Sequence, residues 1–171
     1  MKYRFILHGE KCAACASCLI GCMDLHNEDP AGTHPGNRRI IQLETPCGNG
    51  TAEYTYGSVA CMHCADAPCI RACPKGCIFR DSETGFVVYD NTACIGCRRC
   101  NKACPYSIPR FHPEDGRMVK CDGCNDRIKQ GLQPACVRAC PFGALECVPE
   151  DSYCLQRDAL PTLIEQMKER K

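Results

Sequence analysis

The chain has 171 residues and a mass of 18.9 kDa, with 21 basic and 20 acidic side chains, five His, no Trp and a formal net charge of +1. That balance leaves no basic excess to neutralise a nucleic-acid backbone, no apolar run approaches the roughly 18 residues a membrane span needs, and the apolar stretch within Met1–Glu10 is too short for a secretory signal. Twenty residues are Cys, a density at which covalent or metallic staples replace part of the hydrophobic core; the length allows one domain, or two small ones sharing an interface.

Tyr3–His8 carries strand-like apolar residues and leads into Cys12-x2-Cys15-x2-Cys18-x3-Cys22, whose last segment, Cys18-Leu-Ile-Gly-Cys22, reads as a short helical turn. Residues 23–60 form the longest segment without a candidate ligand. Pro30, Gly32, Pro35, Gly36, Gly48 and Gly50 predict loops there around one hairpin, formed by Arg38–Glu44 and Thr51–Ser58. The second group, Cys61-x2-Cys64-x4-Cys69-x3-Cys73-Pro74, precedes a predicted β-hairpin, Cys77–Arg80 and Phe86–Asp90 around the polar turn Asp81-Ser-Glu-Thr-Gly85. The third group is Cys94-x2-Cys97-x2-Cys100-x3-Cys104-Pro105, and the fourth Cys121-x2-Cys124-x11-Cys136-x3-Cys140-Pro141. Residues 151–171 carry helix formers with apolar Leu155, Leu160, Leu163, Ile164 and Met167, a helix interrupted or restarted at Pro161.

Three chemistries compete for the cysteines. Disulfide scaffolds need an oxidising compartment and are usually shorter than about 80 residues. Structural zinc takes two Cys-x2-Cys knuckles well separated in sequence. Here three thiolates fall within seven residues in the first and third groups, a loop that wraps three corners of a cubane. The fourth Cys of each group lies one helical turn further on, roughly 6 Å along the axis, and points to a second cluster; the Pro after three groups completes the pattern of bacterial iron–sulfur loops. Cys69-Ile-Arg-Ala-Cys73-Pro, Cys100-Asn-Lys-Ala-Cys104-Pro and Cys136-Val-Arg-Ala-Cys140-Pro are near copies of one another. Sixteen Cys in four groups suffice for four [4Fe–4S] clusters, with iron bound through those sixteen thiolates. Cys47, Cys77, Cys147 and Cys154 remain as buried small hydrophobes or surface thiols. So large a share of staples predicts that cluster assembly and folding are coupled.

Other residues carry weaker signals. His63, between Cys61 and Cys64, is either a hydrogen-bond donor to a sulfur or a solvated loop residue; His8, His26, His34 and His112 read as surface or turn residues. Arg98, Arg99 and Lys102 surround the third group, either as a solvated basic face or as tuners of its potential. No Ser/His/Asp set, Walker loop or dinucleotide fingerprint marks a substrate-transforming site. Sixteen thiolates and four cores would bring the net charge to about −7, suited to partners with basic docking faces.

Gly85–Pro141, with Gly-Phe-Val-Val, Cys94-Ile-Gly-Cys97-Arg, Ala103-Cys104-Pro-Tyr and Met118-Val-Lys-Cys121-Asp-Gly-Cys124-Asn-Asp-Arg127, resembles the four-cluster ferredoxin-type electron-transfer subunits of molybdopterin oxidoreductases, dimethyl sulfoxide reductase above all, and the similarity extends over about residues 3–148. The resemblance implies an α+β fold: two ferredoxin-like 2[4Fe–4S] modules in one compact domain, residues 1–150, with short helices and β-hairpins around the clusters, then a helical tail, 151–171. It also implies nested pairing, groups one and four forming one module, two and three the other. Cluster one would take Cys12, Cys15, Cys18 and Cys140; cluster two Cys61, Cys64, Cys69 and Cys104; cluster three Cys94, Cys97, Cys100 and Cys73; cluster four Cys121, Cys124, Cys136 and Cys22. Spacing alone supports exchange within pairs without choosing nested over sequential pairing. The implied path runs one, four, two, three, with cluster one facing the molybdenum subunit.

Cys22 departs from the family pattern in being followed by Met23 rather than Pro, and the longer tail of many relatives is missing after Lys171. Some relatives replace one third-group Cys by Trp and hold three irons; here all are Cys, so four are expected. The implied function is non-catalytic: single electrons pass to or from a molybdenum or tungsten pterin subunit of an anaerobic oxidoreductase, with a membrane anchor or second redox subunit as a further partner. The alternatives are a cytoplasmic formate dehydrogenase or hydrogenase linker, a free polyferredoxin, and a zinc-stapled interaction module. The expected location is cytoplasmic, or exported in complex with a signal-bearing partner.

Overall fold

The computed structural model describes residues 1–26 and 36–169; Pro30, Gly32, His34 and Pro35 lie outside the described residues. In chain order, β1 (Tyr3–Leu7) leads through a 3-10 turn (Gly9–Lys11) to α1 (Ser17–Leu25), and β2 (Arg39–Pro46) pairs with β3 (Ala52–Val59). The next elements are α2 (Pro68–Ala72), β4 (Ile78–Arg80), β5 (Val87–Tyr89) and α3 (Arg99–Ala103). They are followed by β6 (Arg110–Phe111), β7 (Met118–Val119), α4 (Asn125–Lys129), α5 (Ala135–Arg138) and β8 (Leu145–Pro149). Two 3-10 turns, Glu150–Ser152 and Leu155–Arg157, precede α6 (Leu160–Glu169). The architecture is α+β, short helices alternating with two-stranded antiparallel sheets.

The lengths of the helices follow from proline. Those beginning at Pro68, Arg99 and Ala135 stop at or just before Cys73-Pro74, Cys104-Pro105 and Cys140-Pro141, because a residue preceding Pro is driven out of the helical region and Pro itself has no N–H to donate. Met23 imposes no such stop after Cys22, and α1 runs on to Leu25. The expected helical turn at the first group is therefore a nine-residue helix.

Sheet pairing joins distant segments. β1 pairs antiparallel with β8 in the register Tyr3↔Pro149 to Leu7↔Leu145, tying the segment before the first Cys group to the segment after the fourth. The β4–β5 hairpin follows the second group and the β6–β7 hairpin the third. Helices pair in the same manner: α1 packs on α5, and α2 on α3. At the α1–α5 contact Gly21 faces Ala139, and a Cβ at residue 21 would stand 2.7 Å from the Ala139 Cβ. Apolar burial gathers in two places. Leu7, Cys18, Val59, Ile108, Cys136, Leu145, Leu160 and Leu163 form one cluster; Ala67, Cys69, Ile78, Val87, Cys100 and Met118 form the other. Cysteines stand in both where an ordinary core would place larger side chains.

The tail restarts at Pro161, which lies in the first turn of α6, a position that wants no donor. Asp158 fixes its start: Oδ1 accepts from the N–H of Leu160 and of Leu7, both at 3.0 Å, while Oδ2 accepts from the Tyr153 hydroxyl at 2.9 Å. Leu160, Leu163 and Ile164 are buried, so the helix lies on this domain.

Candidate metal centres

The ligand loops share a backbone device. The residue before the second Cys of every group is left-handed: Ala14 (φ 52°), His63 (φ 45°), Gly96 (φ 63°) and Gly123 (φ 79°). Ala16 (φ 65°) and Arg98 (φ 60°) repeat it between the second and third Cys of groups one and three. Left-handed geometry costs a residue with a Cβ about 1–2 kcal/mol and persists where the surroundings impose it. Its effect is to turn successive amide N–H groups into a concavity that holds negative charge.

In two places the three sulfurs of one loop share a cavity with one sulfur of another group. One cavity is lined by Cys12, Cys15, Cys18 and Cys140, walled by Leu7, Ile40 and Leu145. Another is lined by Cys73, Cys94, Cys97 and Cys100, walled by Ile78, Phe111 and Met118. The sulfurs of the second and fourth groups influence one another electrostatically. Burial raises the Cys61, Cys64 and Cys69 thiols; Cys104 adds to the effect on all three, Cys69 to that on Cys61, and Cys61 to that on Cys64. Burial raises Cys121 well above the ordinary thiol value, with Cys61 and Cys22 contributing, and lifts Cys124 to about 11, with Cys136 contributing.

Amide hydrogens point at several of these sulfurs. Cys73 Sγ accepts from the N–H of Cys77 at 3.3 Å, and Cys140 Sγ from that of Ala144 at 3.2 Å, the same offset in two repeats. Cys94 Sγ accepts from Met118 and Cys121 Sγ from Gly123, both at 3.4 Å.

His63 is not a solvated loop residue. Its Nδ1 accepts the Val87 N–H at 3.0 Å, which leaves the ring proton on Nε2, 3.8 Å from Cys121 Sγ. Burial, then the charges of Lys120 and Arg80, hold its pKa well below the ordinary value, so the ring is neutral. It thus spans the second and fourth groups. His8 departs from the surface expectation: it is 4% exposed at the end of β1, with Nε2 3.2 Å from Glu146 Oε1, because the β1–β8 pairing covers it. His26 stands 4.0 Å from Asp122. His112 ends the β6–β7 hairpin, its carbonyl accepting the Gly116 N–H and its N–H donating to the Arg117 carbonyl.

Two buried cations have no signature in the sequence. Arg38 is 4% and Lys120 1% exposed, and neither forms a salt bridge with a carboxylate among the described residues. Lys120 Nζ donates to the Val87 carbonyl and, at 2.9 Å, to that of Cys121, and its charge acts on Cys61 and Cys69. Burial opposes the Arg38 charge, and the facing Cys136, Cys121, Cys18 and Cys22 sulfurs more than offset it. Arg98, Arg99 and Lys102 of the third group are exposed, where solvent screens them. Of the four remaining cysteines, Cys77 is buried and lines the third-group cavity, while Cys147, beside Cys136 and Cys124, is pushed by burial to about 12; Cys47 and Cys154 are partly buried.

The donor set fits an iron–sulfur core. Sulfurs crowded together and mostly shielded from water repel one another as thiolates, and a cationic core removes that penalty while the loop amides meet the sulfurs. Sulfurs gathered by threes with a fourth from another loop, as in those two cavities, define an iron–sulfur protein. A model of the 4Fe-4S dicluster domain matches residues 52–149. Over 158 residues the sequence is 38% identical to the B subunit of the anaerobic dimethyl sulfoxide reductase of Haemophilus influenzae, covering 88% of this protein and 75% of that one. It is 38% identical over 156 residues to the thiosulfate reductase electron transfer subunit PhsB of Salmonella typhi, with 89% and 79% covered. Identity to the iron-sulfur subunit of the nitrate-inducible formate dehydrogenase of Escherichia coli is 32% over 146 residues, with 78% and 50% covered. The protein belongs to the 4Fe-4S dicluster domain family and, within it, to the iron–sulfur electron-transfer subunits of reductase complexes. Among the described residues no helix is long and apolar enough to cross a membrane.

Proposed function

We propose that this protein is the electron-transfer subunit of an anaerobic reductase, holding four [4Fe–4S] clusters and serving a catalytic subunit with a molybdenum or tungsten pterin. When bound, each cluster takes up and releases one electron. The observation that carries the reading is the composition of two cavities: Cys12, Cys15 and Cys18 meet Cys140 in one, and Cys94, Cys97 and Cys100 meet Cys73 in the other. Both favour nested sharing, as does the packing of α1 on α5 and α2 on α3. The complementary sets are Cys61, Cys64, Cys69 and Cys104, and Cys121, Cys124, Cys136 and Cys22. Residues 1–150 form the cluster-bearing domain in two ferredoxin-like modules, and 151–171 its helical tail.

The order one, four, two, three is supported by which sulfurs feel one another across groups: Cys18 with Cys136, and Cys121 with Cys61. Cys15 and Cys97, in the outermost groups of that order, are the exposed cysteines among the described residues, and exposed Phe142 and Ile95 line the same two cavities. Those ends suit exchange with partners, the catalytic subunit at group one and a membrane anchor or second redox subunit at group three. A reductase is favoured over a formate dehydrogenase linker by the higher identity and fuller coverage of the reductase subunits.

Iron and acid-labile sulfide analysis of the anaerobically purified protein tests the reading. About sixteen of each per protein molecule is expected. About twelve irons, or a three-iron signal in the oxidised protein, contradicts it.

A further inference from the structure

The wall of the group-one cavity contains a residue that is neither a ligand nor apolar. Ser58, on β3, lines it and is 1% exposed, with Oγ 3.1 Å from Cys18 Sγ. Its other partner is Arg38, whose Nη1 donates to the Ser58 hydroxyl oxygen and to the Ser58 carbonyl, both at 3.0 Å. The Phe5 ring lies 5.9 Å from the guanidinium carbon. A guanidinium has donors only, so the Ser58 oxygen must accept from Arg38. The single hydroxyl hydrogen is left free, and the atom in reach of it is Cys18 Sγ. Burial prevents water from competing for either bond.

We propose that Arg38 and Ser58 form a buried donor relay onto Cys18 that favours the reduced state of the group-one centre. The proposal rests on the cluster reading given above. No bond forms or breaks and no proton moves along the relay. A one-electron donor adds one negative charge to the site, and the hydroxyl hydrogen and guanidinium, fixed in place beforehand, interact more strongly with that more negative state; hydrogen bonds to sulfur and local charge are the protein's levers on such potentials. Arg38 also faces Cys22, Cys121 and Cys136, so its charge reaches the group-four centre, whereas the Ser58 hydrogen serves group one alone. The relay makes both residues positioning residues, distinct from the exposed cations of group three.

The test is a redox titration followed by electron paramagnetic resonance on the intact anaerobic complex, the group-one signal being identified by its loss in Cys15→Ser. In Ser58→Ala the reduced-to-oxidised ratio of that centre, read at the wild-type midpoint, should fall about tenfold, the scale of one charge-assisted hydrogen bond, with iron content unchanged. Ser58→Thr keeps the hydroxyl and should stay near wild type. Arg38→Met should lower the ratio at least as far as Ser58→Ala and shift the group-four centre as well. Full iron content with an unmoved ratio in Ser58→Ala overturns the relay alone, as does a Ser58→Thr variant as impaired as Ser58→Ala. A wild-type protein whose Cys18 is free of iron overturns the cluster reading and the relay with it.

Discussion

Asp81 shows how one polar side chain joins segments that hold different ligand groups. It sits in the turn of the β4–β5 hairpin, where Oδ1 accepts from the N–H groups of Glu83 and Thr84 at 3.0 Å. Its Oδ2 accepts from the Asn125 amide at 3.1 Å and from Lys129 Nζ at 2.6 Å, both on α4 in the fourth group. Burial works to raise its pKa, but Lys129, the Thr84 N–H, Asn125 and the Glu83 N–H outweigh it and hold the carboxyl well below the usual carboxylate range. A depressed pKa contributes stability that is fully present above the unfolded value of about 3.9 and is lost as pH falls from there through the folded value. Asp81→Asn should therefore cost about 1–3 kcal/mol at pH 7. A double-mutant cycle with Lys129→Met, read by denaturant unfolding of the cluster-loaded protein at pH 7, should show the two substitutions coupled; simply additive losses would remove the charge from the explanation. The residues that act on the sulfurs are of the same kind. His63 is open to two readings in sequence because its neighbours there, Cys61 and Cys64, say nothing of Cys121, the sulfur that its Nε2 meets. Arg38 and Lys120 are invisible for the same reason: in sequence they are ordinary basic residues, and only the fold buries them beside thiolates.

The helices and hairpins are legible to differing degrees. Cysteine spacing marks the helical turns at Cys69–Cys73, Cys100–Cys104 and Cys136–Cys140, because a Pro after the last Cys ends each one locally. The hairpins Arg39–Pro46/Ala52–Val59 and Ile78–Arg80/Val87–Tyr89 follow from alternating apolar residues and turn chemistry close in sequence. β8 and the two-residue strands β6 and β7 escape: β8 exists as a strand because β1, more than 130 residues away, supplies its partner, and two residues are too few to show a period. The helix contacts that support the proposed nested pairing escape as well, since spacing does not say which helices touch. At Gly21 the α1–α5 contact is tight. A side chain there would meet Ala139 Cβ at 2.7 Å and the Ala135 carbonyl oxygen at 3.4 Å, forcing α1 from α5 at a cost of about 1–3 kcal/mol. Gly21→Val should deplete iron from the centres of groups one and four and spare those of groups two and three, as read from the loss of individual paramagnetic signals. Equal loss of all four signals would mean that the helix pair has no separate part in holding the centres of groups one and four.

Across the molecule, cysteine sulfur takes the place that apolar side chains hold in an ordinary core: Cys18 and Cys136 stand in one buried cluster, Cys69 and Cys100 in the other. Burial of a small apolar core and cluster binding must then stabilise the fold together. Stripping iron with a chelator under mild oxidation should abolish the cooperative unfolding transition followed by circular dichroism, and an apo-protein that unfolds with wild-type cooperativity would show that the clusters are passengers. In the proposed function four iron–sulfur clusters share ligands in nested fashion. Anomalous diffraction at the iron edge, on crystals of the protein grown without oxygen, tests it most directly. Four groups of iron peaks are predicted, Cys140 bound with Cys12, Cys15 and Cys18, and Cys22 with Cys121, Cys124 and Cys136. Cys22 on the iron bound by Cys18's own loop, or joined to the cluster of Cys61, Cys64 and Cys69, would contradict it.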